Sequence, residues 1–236
     1  MPWFHGVAER YHEIQNPISR DKIRLLGERL RLGPGQRVLD IACGRGGPAI
    51  VLASEFGCEI VGVEKAAEFV AAARTRVASA GLEELIEIHE HDAADFPIEA
   101  EAWDAALCLG ASWIWAGLEG TVAALVRGVR RGGHVAVGEV YRRTEAGTDD
   151  EFASLPETVR RFERAGPPVT TLITASEEEW DAYESLHWAS LEEWLTQNPH
   201  DPAAMEIRTQ HEEWKWRYLE HGRHADGWVI LAGQKR

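Results

Sequence analysis

Short apolar runs bounded by turn residues recur along the chain and alternate with longer alanine-rich or amphipathic stretches. The run Arg37 to Ala42 (RVLDIA) follows the turn signal Gly33-Pro34-Gly35 and gives way to glycines and then PAIVLASEF, which predicts strand, tight loop and helix. Glu59 to Glu64 (EIVGVE) predicts a second strand. The alanine-rich AAEFVAAARTRVASAG after it favours helix, with Gly81 as its stop. Further strands are expected at Ile86 to Glu90, Trp103 to Leu109, Gly133 to Tyr141, Thr170 to Thr174 and Gly227 to Ala232. Helices are expected from about Glu119 to Arg130, from Leu155 to Ala165, and from Ser176 to about Gly222 with a break at Asn198-Pro199. Near the N-terminus AERYHEIQN reads as helix ending at Asn16-Pro17, because the residue before a proline resists the helical conformation. Strands alternating with helices of this length form right-handed crossovers, so the expected core is a doubly wound α/β sheet covered on both faces.

Length and charge narrow this picture. The 236 residues suit one domain with an elaboration. With 39 acidic against 25 basic residues and a net charge of -14, the chain would repel a phosphate backbone, so no nucleic-acid partner is expected. The acidity is local, since Glu145 to Glu213 holds 17 acidic and 4 basic residues. Three cysteines without paired spacing (Cys43, Cys58, Cys108) argue against a disulfide framework and against a cysteine-rich zinc site. A cytoplasmic setting without a metal fits best. The N-terminus carries charges where a signal peptide needs an apolar stretch, and no apolar run reaches about 18 residues, so no membrane partner is expected.

In a doubly wound sheet the first strand-to-helix turn is the usual nucleotide contact. Here it reads Asp40-Ile41-Ala42-Cys43-Gly44-Arg45-Gly46-Gly47-Pro48-Ala49. Gly44-x-Gly46-x-x-Ala49 fits the dinucleotide fingerprint, and Glu64 lies 20 residues beyond Gly44, where an acid grips ribose hydroxyls. An NAD(P)-dependent oxidoreductase is therefore allowed on spacing. Asp40 speaks against it, because a carboxylate beside the loop repels a pyrophosphate but attracts a ligand carrying an ammonium and a sulfonium.

VLDIACGRGG resembles the first motif of class I S-adenosylmethionine-dependent methyltransferases, and VGVE, EHDAADF, WDAALCLGASW and RRGGHVAVGE follow in that superfamily's order. The terminal WVILAGQKR is similar to the last, antiparallel strand of the same fold, and YHEIQNP, GASWIW and GEVY resemble bacterial small-molecule enzymes related to the ubiquinone and menaquinone biosynthesis type. The resemblance implies a Rossmann-like seven-stranded sheet, mostly parallel, with residues 35–141 binding the cofactor and a helical insertion at 176–224 between strands six and seven. It also implies S-adenosyl-L-methionine as methyl donor. Asp40, Ala42, Gly44 and Gly46 would take its amino-acid part, Glu64 and Lys65 its ribose side, Asp92 and Ala93 its adenine, while Leu109, Gly110 and Ala111 would run alongside.

Methyl transfer from a sulfonium requires mainly positioning, and a base only where the nucleophile must lose a proton. His12 and Glu139 are the expected catalytic candidates. Tyr11, Trp113, Trp115, Tyr141 and His187 are expected to contact a small-molecule acceptor. Residues 1–25 would form a lid. In the insertion Trp180, Tyr183, His187, Leu191 and Trp194 recur at helical spacing, as a stripe that either docks the helix or walls an acceptor pocket. An acidic rim there favours a neutral or cationic acceptor. A monomer or homodimer is expected; a binding module that keeps the cofactor site without turnover is the other reading.

Overall fold

All seven expected strands form in a computed structural model that describes residues 2–144 and 152–236. They are β1 (Arg37–Ile41), β2 (Glu59–Glu64), β3 (Ile86–Glu90), β4 (Trp103–Leu109), β5 (Val129–Arg142), β6 (Val169–Thr174) and β7 (Asp226–Gln234). One sheet joins them in the order β3-β2-β1-β4-β5-β7-β6, with β7 antiparallel to both neighbours. The helices are α1 (Pro2–Ala8), α2 (Arg20–Arg29), α3 (Gly47–Phe56), α4 (Ala67–Ala80), α5 (Leu118–Gly128), α6 (Leu155–Ala165), α7 (Glu177–Gln197), α8 (Ala204–Arg217) and the single turn α9 (Arg223–Ala225). The first part of the acidic segment, residues 145–151, lies outside the described residues.

Because side chains alternate across a strand, each central strand feeds two apolar layers. Val38, Ile60, Ala105 and Leu107 enter the layer shared with α2, α3 and α4, whereas Leu39, Ile41, Val63 and Cys108 enter the layer under α5 and α6. Asp40 falls on the first of these faces by the same alternation. A third, smaller apolar cluster joins α1, α7 and α8 through Phe4, Ala8, Leu191, Leu195 and Ile207.

The N-terminal segment departs from expectation. Its helix covers Pro2–Ala8, and residues 9–17 form turns and bends instead of the expected helix. Tertiary partners outweigh local preference there: Glu13 O accepts from Arg76 Nη1 at 2.9 Å, and Gln15 O accepts from the Tyr183 hydroxyl at 3.3 Å. Helix α2, which the pattern reading does not resolve, follows directly and buries Ile23, Leu26 and Gly27. β5 starts at Val129, four residues before the expected Gly133, because its extra residues bend into the Trp103 end of β4.

The insertion between β6 and β7 is α7, α8, a π-helical turn at Tyr218–Gly222 and α9, with the break after Asn198 as expected. A reciprocal cap opens α7: Ser176 Oγ accepts from Glu179 N at 3.1 Å, and Glu179 Oε2 accepts from Ser176 N at 2.7 Å. Glu179 also accepts from Ser19 N and pairs with Lys22, so one carboxylate ties the start of α2 to the start of α7. Among the described residues no helix is long and apolar enough to cross a membrane.

Replacing Glu179 with alanine removes a cap and an inter-helix tie together. Urea unfolding is expected to show a loss of about 1–3 kcal/mol for Glu179→Ala, against less than about 0.5 kcal/mol for the exposed neighbour Glu178→Ala.

Candidate active site

Asp40 is 2% exposed and sits between two parallel neighbours in the middle of the sheet. Its Oδ2 is buried without a hydrogen-bond partner. Burial, reinforced by the nearby Glu64 charge, pushes its pKa up to about 7. A half-charged, half-unpaired carboxyl in such a place fits a site built for a cation.

The chain then turns sharply into α3. Ala42 takes φ +54° and Gly44 φ +55°, left-handed conformations that are costly for the first residue and free for the second. Glu64, at the end of β2, holds this turn: its Oε2 accepts from Gly44 N at 3.1 Å, and its Oε1 accepts from Lys65 N at 2.9 Å and Ala66 N at 2.8 Å. Oε1 is filled by its two bonds, whereas Oε2 keeps a lone pair for a ligand hydroxyl. After β3, Asp92 Oδ1 accepts from Ala94 N at 3.0 Å, and Lys65 Nζ lies 3.9 Å from Asp92 Oδ2.

The N-terminal segment crosses over this turn. Gln15 Oε1 accepts from Arg45 N at 2.6 Å, Gln15 Nε2 donates to Glu9, and Asn16 Nδ2 donates to Leu109 O at 2.9 Å. Gly47 meets the segment at backbone level, since a Cβ there would stand 1.9 Å from Glu13 O. Between segment and sheet lies a cavity of about 460 Å³.

Asp40, Ala42, Gly44, Glu64, Lys65, Asp92, Ala93, Leu109, Gly110 and Ala111 line this one cavity. Gly46, expected with them, does not; it caps α3 at φ +75° and turns toward Ala73. Trp113 stands at the cavity, 71% exposed. The other expected acceptor and base residues lie outside the lining. Tyr11 is half exposed, its hydroxyl donating to Glu193 at 2.7 Å. Trp115 packs into the layer beneath α5, and Tyr141 is buried against Gly227. His12 and His187 are buried between the N-terminal segment and α7. Glu139 is largely buried beside Ser112, whose hydroxyl bonds its carboxylate, and burial raises its pKa.

No residue of the insertion lines the cavity; the stripe on α7 docks against the N-terminal segment and α8 instead. The walls that pattern reading did not assign include His5, Glu9, Gln15, Asn16, Glu68 and Phe69. The YHEIQNP run marks part of that wall in sequence, but which of its side chains face inward depends on contacts with Arg45 and Leu109 about 30 and 93 residues away.

A loop held by an acid at the end of the second strand, a buried acid in the first and an antiparallel closing strand together define a methyl-donor fold. Residues 38–133 match the methyltransferase domain family model. The chain is 33% identical to an S-adenosylmethionine-dependent methyltransferase from Geobacter sulfurreducens, solved in complex with S-adenosyl-L-homocysteine, covering 100% of this chain and 99% of that one with a TM-score of 0.94. A second such enzyme, from Thiobacillus denitrificans and also in complex with S-adenosyl-L-homocysteine, is 31% identical with a TM-score of 0.93, covering 100% and 99%. YjhP of Escherichia coli (strain K12) is 31% identical over 98% of each chain. The chain belongs to the S-adenosylmethionine-dependent methyltransferases, and S-adenosyl-L-methionine is its methyl donor.

Two outcomes follow from Asp40. Its folded pKa lies above its ordinary value, so the stability it contributes is full below about pH 4 and is lost as pH rises through about 7. Asp40→Asn should therefore melt at a higher temperature than wild type at pH 8 without ligand. In the wild type, S-adenosyl-L-homocysteine affinity should rise up to about tenfold per pH unit toward 7 and then level off, whereas Asp40→Asn should bind more weakly and without that slope in calorimetric titration. Gly47→Ala should push the N-terminal segment off the loop and weaken the same ligand on the order of tenfold, the loss of one or two hydrogen bonds.

Proposed function

We propose that this enzyme methylates a small, neutral or cationic molecule that enters beside Trp113 and is enclosed by the N-terminal segment. The observation that carries this reading is the cavity itself. Its volume of about 460 Å³ suits an enclosed small ligand, and Glu9, Asp40, Glu64, Glu68 and Asp92 line it against a single lysine, Lys65. With Asp40, Glu64 and Asp92 taken up by the donor, Glu9 and Glu68 against Lys65 leave the rest of the lining net negative, which disfavours a phosphorylated acceptor or a nucleic-acid strand.

When bound, the donor supplies a methyl group on a cationic sulfur, activated for in-line displacement. Asp40 balances the donor's ammonium, Glu64 accepts a ribose hydroxyl on the free lone pair of Oε2, and Asp92 with Ala93 edges the adenine. Leu109, Gly110 and Ala111 form the floor. Gln15 and Asn16 close the cavity from above and keep water from the reacting atoms. Residues 1–25 act as the lid and residues 35–141 as the donor-binding core. The insertion 176–224 supports the lid from behind and so reaches the acceptor indirectly. Glu139, bonded by Ser112 next to the floor, stays near enough to the cavity to steady the turn after β4. Three free, buried cysteines suit a reducing cytoplasm.

A mass-spectrometric panel of amines, alcohols, thiols, carboxylates and phosphate esters, each with S-adenosyl-L-methionine, tests this reading. Products are expected from neutral or cationic members and none from phosphate esters. Turnover confined to phosphorylated acceptors, or to RNA, would overturn it.

A further inference from the structure

Behind the lid, a group of titratable side chains is left unused by the donor site. His12, Tyr183 and His187 meet between residues 9–15 and α7, with ring centroids 4.3 Å apart for the two histidines, 4.7 Å for His12 and Tyr183, and 4.5 Å for Tyr183 and His187. His12 Nε2 donates to Tyr183 O at 3.0 Å. Burial, then the neighbouring His187, lowers the His12 pKa to about 4, so His12 is neutral and its ring is committed to that carbonyl.

His187 is differently placed. It is 7% exposed and lies between two carboxylates, with Nε2 4.0 Å from Glu9 Oε1 and Nδ1 3.7 Å from Glu184 Oε2. Its Nδ1 is buried without a hydrogen-bond partner. The two carboxylates belong to different openings. Glu9 lines the donor cavity, whereas Glu184 lines a separate groove of about 150 Å³ bounded by Trp180, Trp214 and Tyr218. The groups facing His187 are Glu9 and His12 from the N-terminal segment and Tyr183 and Glu184 from α7. Movements of about an ångström bring both gaps to hydrogen-bond length.

We propose that Glu9, His187 and Glu184 form a proton relay that carries the acceptor's proton from the methyl-transfer cavity to the outer groove. The proposal rests on the reading of this cavity as the site of methyl transfer, and it names the acceptor as a molecule whose nucleophilic nitrogen or oxygen carries a hydrogen. The acceptor's lone pair takes the methyl group, and the electrons of the broken S–CH3 bond return to sulfur, leaving a neutral thioether. The positive charge thereby gained by the acceptor leaves as a proton to Glu9 Oε1. Glu9 passes that proton to His187 Nε2, and His187 gives its Nδ1 proton to Glu184 Oε2, from which water in the groove removes it. Return of the imidazole to its starting tautomer readies the next cycle. Glu9 touches the acceptor; His187 and Glu184 act through it.

The arrangement accounts for two facts together. A carboxylate stands in the cavity wall with one oxygen bonded by Gln15 and the other turned to His187, and that buried imidazole has an open nitrogen toward a second carboxylate. His12 stays off the path, since its N–H is already given to a carbonyl, while Tyr183 packs edge-on against the His187 ring and bonds Glu9, fixing the carboxylate where the path begins.

Glu184→Gln tests the relay at its far end, outside the donor cavity, and His187→Gln breaks it in the middle. The first readout is the nitrogen-15 spectrum of the histidine rings, in the free protein and with S-adenosyl-L-homocysteine. Glu184→Gln and Glu9→Gln should each shift both His187 ring nitrogens and pin one tautomer while leaving those of His12 in place. The second readout uses whichever amine or alcohol the acceptor panel shows to be methylated. With it, Glu184→Gln should lower kcat on the order of tenfold to a hundredfold, raise the solvent deuterium isotope effect, and leave KM and S-adenosyl-L-homocysteine affinity within about twofold. Unchanged His187 resonances in Glu184→Gln, or an unchanged kcat with that acceptor, would overturn the relay. Failure of the panel with intact relay resonances would instead count against the acceptor class.

Discussion

A carboxyl group buried in the middle of a parallel sheet, with one oxygen unpaired, is the constraint from which the rest of the site follows. Asp40 is placed there by strand alternation, on the face that α2 and α3 cover, and its neighbours on β2 and β4 are backbone-paired and apolar. Among the described residues no donor meets its Oδ2, so a charge there is left uncompensated. The adjoining turn, the left-handed Ala42 and the grip of Glu64 on Gly44 all keep a cavity open directly beside it. An opposite charge brought by a ligand is what makes the arrangement favourable, and the methyl donor carries one.

The second constraint is closure. The N-terminal segment gives up helical hydrogen bonds after Ala8 so that Gln15, Asn16 and Glu13 can bond the glycine turn, the β4 terminus and Arg76. It is anchored from the other side by α7, through Tyr183, His12 and the Glu179 tie to Ser19 and Lys22. The insertion therefore meets the cavity's surroundings only through the N-terminal segment it packs against. Its charge is partly internal to this support, as in the pair between Glu193 and Arg10 and the bidentate contact of Arg223 with Asp181.

The sheet was legible because short, continuously apolar runs such as RVLDI and EIVGVE, bounded by turn residues, fit strands buried on both faces. That Asp40, Gly44 and Glu64 meet at one cavity was legible for a related reason: they are positioned by strand ends, whose places are set by local pattern. The N-terminal segment was not, since AERYHEIQN has good helical character and its unwinding depends on partners distant in sequence. Gly46 shows the same limit at short range. It belongs to the motif, yet its backbone serves the start of α3 rather than the cavity. The aromatic stripe of α7 has the spacing of a pocket wall and of a docking face alike, and only its neighbours, α8 and residues 9–15, distinguish the two.

The central claim, that Asp40 is held partly protonated until the donor's ammonium arrives, is tested most directly by proton release on binding. S-adenosyl-L-homocysteine titrated calorimetrically at pH 7 into the protein, in two buffers of different ionisation enthalpy, should show release of about half a proton per ligand, because a carboxyl with a pKa of about 7 is half protonated beforehand and ionised afterwards. Binding with no net proton exchange, or with proton uptake, would contradict the account.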